Sequence, residues 1–294
     1  MIIPVNELNA FLGNHQANPH GWLGMHPLTH QGVAGVVVRA FVREAVKCSV
    51  VELDAPGMPA HAMELLAPEG FFELFIPGKK VFRYQVRYET SWGDIHQVYN
   101  AYSFLPSLSA QDLYLFNEGN EHRIYDKLGA HMRRMGDVPG VSFAVWAPAA
   151  SRVSLVGNFN SWDARYHPMR PLGNSGVWEL FVPDLHEGEI YKFAIWDQQG
   201  HMRMKTDPYG TYFESPPNNA AIIKDVSRHR WNDSEWIAQR TSQAGRLDRP
   251  ISIYEVHLGS LRRNTAEANR PLTYRELAPL LADYVVEMGF THIE

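Results

Sequence analysis

Over the first two-thirds of the chain, runs of four to eight apolar, β-branched and aromatic residues alternate with polar turns, and they occur twice in one order. Gly35-Val36-Val37-Val38-Arg39-Ala40-Phe41-Val42 has a counterpart in Gly140-Val141-Ser142-Phe143-Ala144-Val145-Trp146-Ala147. Gly70-Phe71-Phe72-Glu73-Leu74-Phe75-Ile76-Pro77 returns as Gly176-Val177-Trp178-Glu179-Leu180-Phe181-Val182-Pro183, and Val81-Phe82-Arg83-Tyr84-Gln85-Val86 as Ile190-Tyr191-Lys192-Phe193-Ala194-Ile195. The offset is roughly 105 residues, the length of a duplicated domain and too long for a solenoid repeat. Runs of this length bounded by Pro, Gly, Asn and Asp predict strands and turns, so each copy reads as a small antiparallel sandwich. Glu73 and Glu179 interrupt apolar runs and are predicted to face solvent on half-buried strands. Turns are predicted at Asp54-Ala55-Pro56-Gly57, Gly173-Asn174-Ser175-Gly176 and Gln198-Gln199-Gly200. The bridge from Ser107 to His131 is predicted to dock through Leu113, Leu115, Phe116 and Tyr125.

After Pro250 the pattern changes. Ile251 to Leu258 is a near-continuous apolar run, as a parallel strand covered on both faces requires. Thr273 to Gly289 reads as a helix, with Thr273 and Glu276 forming a capping box and Gly289 at the C-terminal end. Pro279 falls inside it and predicts a kink or break. Phe290-Thr291-His292-Ile293-Glu294 begins another strand. One strand–helix unit and part of the next make the opening of a barrel.

Composition narrows the function. A chain of 294 residues has room for two or three domains. A net charge of −5 argues against a nucleic-acid partner, for which a basic face is expected. No signal peptide is visible at Met1 to Glu7, no run approaches a membrane span, and the one cysteine, Cys48, has no partner for an internal disulfide. These features predict a cytoplasmic monomer with no membrane or nucleic-acid partner. His15, His20, His26 and His30 cluster at irregular spacing, which predicts polar surface and no metal site. No phosphate-binding glycine loop or nucleophile elbow occurs, so no cofactor is expected. With 8 Trp, 13 Tyr and 14 Phe, a surplus of rings on one face would suit a neutral, flat ligand such as a sugar.

The second module carries the sharper motif. Val153-Ser154-Leu155-Val156-Gly157-Asn158-Phe159-Asn160-Ser161-Trp162-Asp163 is a strand running into a polar turn tipped by Trp162. This stretch, with Val145-Trp146-Ala147-Pro148, Tyr191-Lys192-Phe193 and Asp207-Pro208-Tyr209, resembles the glycogen-binding modules of the α-amylase superfamily. The resemblance implies that Trp162 offers its π-face to a glucose ring while Lys192 and Asn158 or Asn160 bond the hydroxyls. A bracing role, with Trp162 capping the sandwich, stays open beside glycan contact. Dedicated glycogen-binding modules add a second Trp after the Tyr-Lys-Phe strand, where this chain has no aromatic between Asp197 and Met202. The first module lacks the turn altogether, having Glu52 to Met58 in its place.

Tyr254-Glu255-Val256-His257-Leu258-Gly259-Ser260 followed by Gly289-Phe290-Thr291-His292-Ile293-Glu294 is similar to the first two barrel strands of 1,4-α-glucan branching enzymes. Leu261 departs from the Trp usual in that family after Gly-Ser. The resemblance implies a mainly β chain: two tandem immunoglobulin-like β-sandwich modules, then the first strand–helix unit of an incomplete (β/α)8 barrel. The boundaries are 1–106, 107–225, a linker at 226–250, and 251–294. It also implies a part in glycogen biosynthesis, with α-1,4-glucan segments transferred to glucose 6-hydroxyls through a covalent glycosyl-enzyme. The catalytic acids of the family lie on later barrel strands, so no catalytic residue is assigned, and this polypeptide by itself is expected to be inactive. Glu255 and Glu294 match no catalytic position. The alternatives are the amino-terminal part of a related debranching or trehalose-releasing hydrolase, and a stand-alone glycan-binding protein. Against the last, Ile251 to Glu294 alone would leave sheet edges unpaired.

Overall fold

A computed structural model of the chain describes residues 1–16, 18–243, 246 and 248–294. The chain divides into two compact units, Met1–Arg228 and His229–Glu294. Residues 244, 245 and 247 of the expected linker lie outside the described residues.

The first unit holds both sandwiches. In the first, β1 (Gly24–His30), β2 (Val33–Phe41), β5 (Glu64–Ala67) and β6 (Phe71–Pro77) form one sheet in the order β1-β2-β6-β5. The facing sheet is β4-β3-β7-β8, from β3 (Ala45–Glu52), β4 (Ala60–Ala62), β7 (Tyr84–Thr90) and β8 (Ile95–Val98). The second sandwich repeats the plan. Its β9 (Gly129–Met135), β10 (Val138–Trp146), β12 (Arg170–Pro171) and β13 (Val177–Pro183) run in the order β12-β13-β10-β9. They face β11 (Arg152–Gly157), β14 (Ile190–Trp196) and β15 (Met202–Lys205), ordered β11-β14-β15, with β16 (Ala221–Ile222) also on β14. All these pairings are antiparallel.

The duplication extends to close packing. Gly35 pairs with Pro77 and Gly140 with Pro183. A Cβ on Gly35 would lie 2.4 Å from the Ile76 carbonyl oxygen, and one on Gly140 would lie 2.4 Å from that of Val182. In each case the next obstacle is a phenylalanine ring, Phe75 or Phe181. The two copies therefore keep glycine here because the neighbouring strand leaves no room for a side chain. The cores are separate: Val36, Val38, Val50, Phe72 and Val86 fill one sandwich, and Val141, Phe143, Leu155, Leu180 and Phe193 the other.

Glu73 and Glu179 overturn the expectation of solvent-facing carboxylates, at 4% and 0% exposed. Glu73 accepts from Arg39 Nε at 2.9 Å and from the Ile3 amide at 2.9 Å. Glu179 accepts from Arg170 Nη2 at 2.7 Å and from the Ser107 amide at 2.9 Å. Each glutamate thus pins the segment that enters its module. The arginines have exchanged sides: Arg39 lies across from Glu73 on β2, while the equivalent partner of Glu179 on β10 is Ala144 and its arginine comes from β12. Burial on both faces, not alternation, governs β13, where six consecutive residues are buried.

The bridge between sandwiches contains more helix than its pattern suggested. Ala110–Asn117 is an α-helix started by a reciprocal Ser109–Asp112 capping box. Leu113 and Phe116 pack with Leu108, Leu128 and Leu172, as expected, whereas Tyr125 is exposed. His20 also departs from the expected polar surface: both its ring nitrogens are buried without a hydrogen-bond partner among the described residues.

In the second unit, Tyr274–Glu287 is one helix, capped by Thr273 and Glu276 and continuous through Pro279. The expected strand from Ile251 to Leu258 reduces to Ile253–Tyr254, paired in parallel with His292–Ile293. One pairing partner is present among the described residues, and Ile251 and Ile253 remain exposed. Tyr254 packs on Tyr284 and Phe290 at ring distances of 5.3 and 5.1 Å. No helix among the described residues is long and apolar enough to cross a membrane.

Candidate functional site

The Gly-Asn-Phe-Asn-Ser-Trp segment leaves β11 as a short 3-10 turn, Asn158–Asn160. Asn160 builds that turn and does not meet a ligand, contrary to its expected role. It is 4% exposed, its Oδ1 accepts the Gly157 amide at 2.9 Å, and its Nδ2 donates to the Leu155 carbonyl at 3.0 Å and to His167 Nδ1 at 2.8 Å. With both amide donors committed and the side chain buried, it is out of reach of a sugar.

The turn then places two consecutive non-glycine residues in the left-handed region, Ser161 at φ 53° and Trp162 at φ 60°. A bulky residue at positive φ is unfavourable, by about 1 kcal/mol or more. The strain is held because the Trp162 amide donates to the Gly157 carbonyl at 3.0 Å and its indole Nε1 donates to Asn158 Oδ1 at 3.0 Å. The ring is 37% exposed and fixed at both ends. Asn158 is exposed beside it and serves to orient it. Lys192 stands on β14 opposite Val156, the residue before this turn, and its Nζ donates to Asn219 Oδ1. Trp162 and Asn158 therefore reach the surface on one turn, Lys192 stands on the adjacent strand with its amine on Asn219, and Asn160 is the anchor of the turn.

Gly157, at the base, has an extended backbone, but a Cβ there would meet the Ile190 carbonyl oxygen at 2.2 Å and the Phe159 ring at 2.5 Å. Gly157→Ala is expected to destabilise the chain by about 1–3 kcal/mol through overpacking. Urea titration would measure this, and an unchanged midpoint would contradict the placement of Gly157 against β14.

The loop after Trp162 bonds to the first sandwich, a contact no local pattern announced. Tyr166 donates its hydroxyl to Glu44 at 2.7 Å and accepts from the Arg43 amide at 3.1 Å. Its ring meets Phe41 edge-on at 5.2 Å, and Arg165 lies over Phe41 at 5.3 Å. Burial, then Glu44, pushes the Tyr166 hydroxyl up, so it stays a donor. Burial alone would raise the Asp163 carboxyl, yet Arg165 and Arg43 hold it below the usual carboxylate range. Among the described residues no group of three or more His, Cys, Asp or Glu is placed to hold a metal ion.

These features define a class: residues 127–210 match the model of carbohydrate-binding module 48, the isoamylase N-terminal domain. Residues 4–102 match the N-terminal domain of alpha-1,4-glucan branching enzyme GlgB. The 1,4-alpha-glucan branching enzyme GlgB of Rubrobacter xylanophilus is 45% identical over 288 residues, a span of 98% of this chain and 38% of that protein. The corresponding protein of Myxococcus xanthus is 43% identical over 290 residues, again 98% and 38%. The chain is thus the kin of the amino-terminal region of 1,4-α-glucan branching enzymes, and it spans less than half the length of the curated relatives it matches. A pullulanase from Anoxybacillus sp. LM18-11, solved with maltotriose, is 15% identical at a TM-score of 0.33, covering 80% of this chain and 32% of its own. That likeness is too remote to inform the fold.

Proposed function

We propose that the chain serves a cytoplasmic, monomeric glycogen branching enzyme as its glucan-holding region, with α-glucan contacted by the second module. The reading divides it as 1–106, 107–225, 226–250 and 251–294. The last segment is the opening of the (β/α)8 barrel whose later strands would supply the retaining chemistry. Its support is the parallel pairing of Ile253–Tyr254 with His292–Ile293 around the Tyr274–Glu287 helix.

The observation that carries the glycan reading is Trp162 itself. An indole kept at positive φ, tethered by Asn158 and left over one-third exposed, is arranged for display, because a capping tryptophan would turn its ring inward. Sugar C–H groups would stack on its face, and Lys192, with Asn158, would reach the hydroxyls.

Affinity electrophoresis in glycogen-containing gels tests this. Retardation of the chain should weaken by roughly five- to tenfold in apparent affinity on Trp162→Ala, by analogy with base–aromatic stacking. Lys192→Ala should weaken it less, since one exposed hydrogen bond to a neutral group adds little net energy. Equal retardation of Trp162→Ala and wild type would move the site elsewhere.

A further inference from the structure

A cleft of about 710 Å³ opens between the two sandwiches, away from the tip of the Trp162 turn. We propose that it is a second α-glucan site, holding a short chain of glucose units. The proposal rests on the reading of this chain as a glucan binder. Its walls are the half-buried rings of Phe82, Tyr99 and Phe104, and its far side is the β9–β10 hairpin at Met135 to Val138. The volume lies within the roughly 300–1,000 Å³ of small-molecule sites.

Three observations point to a neutral polyhydroxyl ligand. First, the one cation among the described residues lining the cleft is already taken. Arg83 Nη2 bonds both Asp137 oxygens, at 2.8 and 2.9 Å, and Arg83 Nη1 lies 3.6 Å from Asp54. Arg83 is thus shared by two carboxylates, so the described lining holds no free cation for an anionic ligand. Second, the Ser103 hydroxyl is exposed on the cleft wall and can both donate to and accept from a sugar hydroxyl. Third, rings beside hydroxyls suit a pyranose, whose axial C–H groups form apolar faces and whose hydroxyls lie around its rim. Tyr99 also lines the smaller cavity of about 210 Å³ that ends at Phe159 and Ser161, so the aromatic wall runs to the foot of the Trp162 turn.

Hydrogen exchange on the full chain with and without maltoheptaose tests the proposal. Protection is expected at residues 81–84 and 99–104, and it should persist in Trp162→Ala. Tyr99→Ala is expected to weaken binding in the Trp162→Ala background by about fivefold. Ser103→Trp, at an exposed position on the cleft, fills the space and should remove the protection at 81–84; this keeps the test valid if Tyr99→Ala fails to fold. Protection confined to residues 158–162 and lost with Trp162→Ala would overturn the cleft site and leave the glucan reading intact. No protection anywhere and no retardation by glycogen would overturn both.

Discussion

Replacing Glu179 by alanine is expected to lower the unfolding free energy by about 3–5 kcal/mol, the range for removing one partner of a buried ion pair. Glu179 has no solvent contact, and Arg170, 8% exposed, has its Nε and Nη2 on the same Glu179 oxygen at 2.9 and 2.7 Å. Without the carboxylate, Arg170 keeps the Phe104 carbonyl at 2.9 Å but stays buried with its charge unmatched. The Ser107 amide loses its acceptor as well, so the bridge is released where it enters the second module. Glu73→Ala should act in the same way on the first module, freeing the amide of Ile3 and stranding Arg39. The combined change Arg170→Met with Glu179→Leu should cost less than Glu179→Ala alone, because no buried charge is left behind. Urea unfolding followed by tryptophan fluorescence measures all three variants. A loss under 1 kcal/mol for Glu179→Ala would show that the pair is solvated in solution.

That buried pair marks the limit of legibility in the sequence. The duplication was readable because apolar runs, glycines and prolines recur in one order, and strand identity follows from such local features. A charge inside a strand was read by alternation, which holds when one face meets water. Here the second face of β6 is covered by the entering residues Ile2 and Ile3, and that of β13 by the bridge at Phe104 to Ser107. The signal was present, since glutamate stands at the same place in both copies, but an exposed and a buried glutamate look alike in one sequence. Asn160 was misread for a related reason. Its neighbours announced a polar turn, and the turn needs one of its two asparagines to close it. Which one faces inward depends on the reach to Gly157, Leu155 and His167, which is geometry and not pattern. The Tyr166–Glu44 contact joins residues 122 apart in sequence, so no window of the chain contains both.

His167 makes the signature turn sensitive to acid. Burial lowers its pKa to about 4, and the ring accepts from Asn160 Nδ2, so the folded turn needs the neutral imidazole. An unfolded histidine titrates near 6.5. Between these values the unfolded chain binds more protons than the folded one, so stability is fully present above pH 6.5 and is lost as pH falls toward 4. The full difference would be roughly 3 kcal/mol; with some solvent reaching the residue, about 2–3 kcal/mol is expected. His20 adds in the same direction: burial, then Arg170 and His26, lowers its pKa to about 3. Asp207 opposes both. Burial raises its pKa even though it accepts from Tyr191 at 2.6 Å, so the folded state gains from its protonation in acid. A difference measurement separates them. His167→Gln keeps an acceptor for Asn160 and removes the titration, while Asp207, His20 and every other group cancel between the two proteins. Relative to His167→Gln, wild type should therefore lose about 2–3 kcal/mol between pH 7 and pH 4. Urea titrations of both proteins at half-unit pH steps would show it, and parallel stability curves would mean that His167 is solvated and that Asn160 holds the turn without it.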